Sequence, residues 1–127
     1  MKLKSGEEAV ISDKAHIETV KVGEEEYKDF CQREGTLYIT TRRVVMETIV
    51  SGSEAVLFDI SIDSIRKAFT QGLFRKNLMI QADLSDMSSE VTKLDKSKLS
   101  CELGTFLIRV DAPRKWAEQL SFWLPKK

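Results

Sequence analysis

The chain has 127 residues, of which 42% are hydrophobic and 31% are charged, a size and composition typical of one folded domain. Twenty Lys and Arg residues balance twenty Asp and Glu residues, so no overall charge attracts the chain to nucleic acid. The first residues contain no apolar segment of the kind that directs export, and we expect a cytoplasmic protein.

Apolar and polar side chains alternate along most of the chain, which is the pattern of half-buried β-strands. The run from Val44 to Val50 is almost continuously apolar, and we therefore expect it to be covered on both faces. Short polar segments such as Val50–Ser53 predict tight turns between the strands. The predicted strands are 36–40, 44–50, 56–63, 78–82 and 106–110, with weaker candidates at 16–22 and 65–69.

A polar stretch at about 84–101 predicts an insertion loop between two strands of a single domain that spans residues 1–127. Within this stretch Met87, Val91 and Leu94 recur at the spacing of a short amphipathic helix. Such a helix would dock a protein partner or pack on its own domain. A mobile polar loop is an equal alternative.

The period of the apolar residues changes after Ala112. Trp116, Leu120 and Trp123 then recur on one face of a helix, which Pro113 can begin and Pro125 ends. Because one helix can cover only one opening of a small sheet, we expect these apolar residues to plug one end of the strands.

Three short motifs resemble those of pleckstrin-homology (PH)-like domains, closest to the GRAM branch and its prokaryotic relatives. The segment 35–46, GTLYITTRRVVM, is similar to the family's hairpin motif G-x-L-x-(I/L)-T-x-x-R-(I/L)-h-h. Ser5–Val10 resembles the family's x-G-E-x-h motif, and Asp59–Ile65 resembles its D-I strand and I-x-x-I turn. Trp116 resembles the Trp of the family's closing helix, with Trp123 as the alternative counterpart.

The resemblance implies a mainly-β fold, a bent antiparallel sandwich or barrel of seven strands capped by one C-terminal helix. It also implies a binding module without catalytic chemistry of its own. We expect no cofactor. Family members bind phosphoinositide headgroups, peptides or partner domains, usually through loops that correspond to residues 23–34, 50–54 and 84–101.

The first of these loops argues against a specific phosphoinositide ligand. Residues 23–34 hold five acidic side chains, which Lys28 and Arg33 only partly offset. Headgroup recognition requires clustered cations that neutralise several phosphate charges. An acidic loop repels such a ligand.

The sequence gives no motif for catalysis or for metal binding. His16 is the single histidine, and we interpret it as an ordinary strand residue. No glycine-rich phosphate-binding loop occurs. Cys31 and Cys101 are too few for a zinc site, and whether they approach each other in space stays open.

Three surfaces are candidates for a partner. The first is the segment with Arg66 and Lys67 followed by Leu73, Phe74, Arg75 and Lys76, whose apolar and cationic side chains suit an anionic membrane or a protein partner. The alternative for Leu73 and Phe74 is packing against the end of the barrel. The second surface is the insertion loop, and the third is an unpaired sheet edge, which can accept a strand from a peptide or from a second copy in a homodimer.

The sequence therefore predicts a non-enzymatic binding module that mediates protein–protein interaction or self-association. The alternative function is peripheral attachment to anionic lipid through the loop at Leu73–Lys76.

Overall fold

The computed structural model describes residues 3–72, 77–91 and 103–123, apart from the side chains of Asp29 and Trp123. Within these ranges the chain forms eight strands and one α-helix. They are β1 (Ala9–Val22), β2 (Glu25–Glu26), β3 (Arg33–Thr40), β4 (Arg43–Val50), β5 (Ser53–Ser61), β6 (Ile65–Gln71), β7 (Asn77–Asp83), β8 (Leu103–Val110) and α1 (Pro113–Trp123).

All strands pair in an antiparallel manner in one sheet with the order β5-β4-β3-β1-β8-β7-β6, while the short β2 pairs with the end of β1. The seven strands predicted from the sequence are all present, and β2 is an addition. In the described part of the chain β5 and β6 do not pair with each other, so the sheet stays open. The predicted fold class, a bent antiparallel sandwich with one C-terminal helix, is confirmed.

The sheet bends along β1, which is 14 residues long and belongs to both halves. Ala9–Ile17 pairs with β3, whereas Ala15–Val22 pairs with β8 on the other side. The register with β8 shifts between Ile17 and Thr19, and a bulge of this kind increases the local twist of a strand. The two halves of the sheet therefore fold over each other and enclose the core.

The core consists of the inward-facing residues of both halves and of the helix. On β7 and β8 every second residue is buried, as the alternating pattern predicts. Phe58 and Phe106 meet across the core with their ring centroids 4.9 Å apart. Helix α1 packs on β6 and β7, and its residues Trp116 and Leu120 are fully buried in the same cluster.

The expectation that β4 is covered on both faces is wrong at its C-terminal end. Val44, Val45 and Met46 are fully buried, but Ile49 is 61% exposed and Val50 is 37% exposed. The strand ends there in the predicted hairpin turn, where Ser51 and Gly52 have φ angles of 51° and 81°, as in a type I′ turn. No described element covers the outer face beside this turn.

Candidate interaction surfaces

One edge of the sheet is covered by the chain itself. The Asp59 N–H donates to the Ser88 carbonyl at 3.0 Å, and the Ser88 N–H returns a bond to the Asp59 carbonyl at 3.1 Å. Two residues further, the Glu90 N–H donates to the Val56 carbonyl at 2.8 Å, and the Val56 N–H donates to Glu90 Oε1 at 2.7 Å. Residues 88–90 therefore occupy backbone positions along β5 that an added strand would need.

The helical interpretation of the insertion is wrong for its described part, 84–91. This segment forms a turn and an isolated bridge instead of a helix, because its backbone pairs with β5. Met87 is 1% exposed and joins the core, so it is not available to a partner. Val91 packs partly buried against the core, and Leu94 lies outside the described residues.

The other edge of the sheet, β6, pairs with β7 alone within the described residues. Lys67 and Gln71 are exposed on its outer face, and Phe69 between them is 39% exposed. The intervening Ala68 and Thr70 are half-buried. This edge thus presents unpaired strand backbone beside one apolar and one cationic side chain.

Of the four cations predicted to contact a membrane or a partner, the structure describes Arg66 and Lys67. Arg66 is exposed, donates from Nη1 to the Asp63 carbonyl at 3.1 Å, and lies 3.7 Å from the Asp83 carboxylate. The carboxylate of Asp83 in turn accepts bonds from Ser85, which lower its pKa. Leu73, Phe74, Arg75 and Lys76 lie outside the described residues, between the paired ends of β6 and β7.

Helix α1 lies next to the β6 edge. It buries Trp116, Ala117 and Leu120 and leaves Phe122 in its last turn 75% exposed. The side chain of Trp123 is outside the described part of the helix. An exposed aromatic residue on the element that packs on β6 adds apolar surface to this side of the molecule.

The acidic loop after β1 folds back on the sheet. Its Glu25–Glu26 pair forms β2 beside the end of β1, and Phe30 is fully buried with Tyr27 tilted against it at 5.7 Å. The Cys31 thiol contacts Glu26 and the Tyr27 carbonyl, and burial raises its pKa. Cys101 lies outside the described residues. The exposed glutamates of this loop carry the negative charge that argues against a phosphate ligand here.

A buried ion network ties the N-terminal segment to the sheet. The Arg43 guanidinium donates from Nε and Nη2 to the Glu7 carboxylate at 2.8 and 3.1 Å, and from Nη1 to Asp59 at 2.7 Å. The Thr40 hydroxyl donates to Glu7 at 2.5 Å. The side chain of Glu7 is completely buried. The hydrogen-bonding groups of these side chains are paired with one another, and the pairs link the N-terminal segment to β3, β4 and β5.

The described residues contain no cluster of three or more His, Cys, Asp and Glu side chains that could hold a metal ion. Among the same residues, no helix has the length and apolar character needed to cross a membrane.

Comparisons with known proteins show the fold. No protein-family model matches the chain, and no curated protein matches it in sequence. The solved structure of the Vps36 N-terminal PH domain is similar, with a TM-score of 0.56 over 96% of this chain and 82% of that chain, at 12% sequence identity. The order of the strands, the bend along β1 and the closing helix thus identify a PH-like fold.

Proposed function

We propose that the chain is a non-enzymatic protein-binding module that accepts a strand at the β6 edge, and that a second copy of the chain is the partner. The observation that carries this proposal is the contrast between the two edges of the sheet. Residues 88–90 cover β5, whereas no described strand pairs with the outer side of β6. Open strand edges add strands readily, and two-fold dimers are the commonest closed assemblies.

The register of β6 with itself supports a second copy. An antiparallel pair of β6 strands centred on Ala68 places Lys67 of each copy opposite Phe69 of the other. In this register Arg66 lies opposite Thr70, so no two like charges face each other directly. The Lys67 stem and the Phe69 ring are both exposed on the outer face and can pack together.

Two substitutions of one residue test this pairing. Phe69→Lys places Lys opposite Lys at two symmetric positions, each costing about 0.2–1 kcal/mol, whereas Phe69→Glu removes the same ring but places Glu opposite Lys67. We expect the dimer dissociation constant of Phe69→Lys to exceed that of Phe69→Glu by at least about threefold, measured by sedimentation velocity. Adding Lys67→Glu to Phe69→Lys should restore the dimer. A wild-type chain that stays monomeric at millimolar concentration contradicts the proposal.

The alternative is peripheral attachment to an anionic membrane through the same side of the molecule. The exposed Lys67 and Phe69 favour it, and Leu73, Phe74, Arg75 and Lys76 follow this strand closely in the sequence. An aromatic ring beside cations suits a surface of acidic headgroups. Vesicle sedimentation separates this alternative from self-association.

Within PH-like folds, we assign the chain to the GRAM type on the residues of its hairpin motif, Gly35–Met46. We also propose a cytoplasmic location. Free Cys31, which is partly buried and forms no described disulfide, is compatible with a reducing compartment.

A further inference from the structure

A groove that is separate from the β6 edge crosses the outer surface where the two halves of the sheet meet. It has a volume of about 540 Å³ and is lined by residues of β1, β3, β4 and β8, among them Lys14, His16, Thr36, Ile49 and Arg109. This volume is within the range of sites that bind small ligands or peptide side chains. We refer to it as the Ile49 groove.

Gly35 lies in the wall of this groove. A Cβ atom on Gly35 would lie 1.9 Å from the Glu47 carbonyl oxygen, so β3 can approach β4 this closely only without a side chain. Gly35 also lines a smaller depression of about 60 Å³ on the far side of Ile49, together with Tyr38, Glu47 and Glu54. Ile49, 61% exposed, thus stands between two adjoining concavities.

The apolar surface of Ile49 lies within a group of acidic side chains. Glu54 is the cross-strand partner of Ile49, and Glu47 lies two residues before Ile49 on the same face. Burial, and then the negative charges of Glu47 and Glu54, raise the pKa of Tyr38 beside them. At the other end of the groove the Glu34 side chain is 84% exposed.

The lining of the groove itself holds charges of both signs, with Lys14 and Arg109 against Glu34 and Asp111. Arg109 forms an ion pair with Glu18, and Lys14 is exposed. His16 lies with Nε2 2.9 Å from Gln32 Oε1 and with Nδ1 3.5 Å from Glu34. The local excess of negative charge therefore lies in the adjoining depression, where Glu47 and Glu54 accompany the exposed aliphatic side chain of Ile49.

We propose that the Ile49 groove binds a basic segment of another protein, with an aliphatic side chain of the partner on Ile49 and a neighbouring Lys or Arg between Glu47 and Glu54. Glu47 and Glu54, which line the depression next to the groove, select this partner over an acidic one, because like charges brought together at an interface are strongly unfavourable. The contact is separate from the β6 edge and does not depend on self-association.

The probe is a seven-residue peptide of alternating Lys and Leu, with the corresponding Glu and Leu peptide as its matched counterpart. In ¹H–¹⁵N NMR titrations of the full chain, we expect the Lys peptide to shift the amide signals of Thr36, Tyr38, Ile49 and Glu54, and the Glu peptide to bind at least tenfold more weakly. Ile49→Ser, which removes the apolar contact without changing the charge, and Glu54→Lys should each weaken binding of the Lys peptide at least fivefold. Both positions are exposed, so the fold is retained.

Two control variants assign the effect to the groove. Glu24→Lys makes the same charge change in the exposed loop after β1, and Phe69→Lys changes the β6 edge; neither should alter the affinity for the Lys peptide. The proposal is overturned if the shifts map elsewhere, if Ile49→Ser and Glu54→Lys bind the Lys peptide as the wild type does, or if the Glu peptide binds equally well. It is also overturned if Ile49→Ser abolishes self-association, because the face would then belong to a second copy.

Discussion

At the scale of single residues, the motifs that resemble PH-like domains have a physical explanation. Glu7 belongs to the first motif, Thr40 and Arg43 to the hairpin motif, and Asp59 to the third. The structure brings all four side chains into one hydrogen-bonded network. The polar residues of three separate motifs therefore bind one another. Removing one partner of such a network leaves an uncompensated buried group, which is costly.

The pH dependence of stability follows from Glu7. Hydrogen bonds from Arg43 lower the pKa of Glu7 from 4.5 to about 2, against the opposing effect of burial. A carboxylate with a lowered pKa stabilises the fold fully above pH 4.5, and this contribution is lost as the pH falls towards 2. We expect Glu7→Gln to lower the free energy of unfolding by roughly 2–4 kcal/mol at pH 7.

Urea denaturation at several pH values tests this prediction. The difference between wild type and Glu7→Gln should shrink steadily below about pH 4.5. Glu8→Gln, at an exposed neighbouring carboxylate, is the control and should change stability by less than about 0.5 kcal/mol. A pH-independent difference between wild type and Glu7→Gln would show that the carboxylate charge is not its source.

At the scale of elements, helix α1 depends on one large side chain. Trp116 is fully buried in the core cluster, and its Nε1 atom has no hydrogen-bond partner among the described residues. The ring therefore contributes apolar burial, while its buried N–H opposes part of that gain. The helix is held on β6 and β7 chiefly by this packing.

Truncation of Trp116 should thus be severe. We expect Trp116→Ala to lower the free energy of unfolding by about 3–5 kcal/mol in chemical denaturation. Trp116→Phe keeps an aromatic ring and removes the unpartnered N–H, so its cost should be clearly smaller. Lys115→Ala, at the exposed neighbouring position, should have an effect below about 0.5 kcal/mol. An effect of Trp116→Ala below about 1 kcal/mol would mean that the helix does not cover one end of the core as described.

At the scale of the whole molecule, the net charge is zero and any attraction to a membrane must be local. On β6, Arg66 donates a hydrogen bond to the Asp63 carbonyl and lies near the Asp83 carboxylate. The exposed acidic side chains after β1 repel anionic lipid. Two binding signals are usually needed for stable attachment to a membrane. The described residues of β6 offer one partly exposed ring and few free cations.

Vesicle sedimentation distinguishes the membrane alternative from protein binding. We expect the wild-type chain to remain in the supernatant with vesicles that contain phosphatidylserine, at physiological ionic strength, as it does with neutral vesicles. Phe74→Asp should change nothing. Strong pelleting of the wild type that Phe74→Asp abolishes would favour attachment to the membrane through this loop.

Strand periodicity, the helical spacing after Ala112 and the turn at Val50–Ser53 predicted the elements, whereas the bent sandwich was predicted from the resemblance of three motifs to PH-like domains. These features are local, because each depends on neighbouring side chains that face the same side of one element. The cover on β5 could not be predicted, because it depends on backbone bonds between Asp59 and Ser88, and the apolar spacing of Met87 and Val91 equally fits a helix.

The sequence by itself determined that the chain folds as a strand-rich domain with one terminal helix, because alternation and helical spacing specify which faces must be buried. Only the tertiary structure decided which faces stay exposed. The position of Ile49 beside Glu54, the closure of one sheet edge and the convergence of Glu7, Arg43 and Asp59 all arise from pairing between distant segments. Such contacts are set by register and by the bend along β1, which no local pattern encodes.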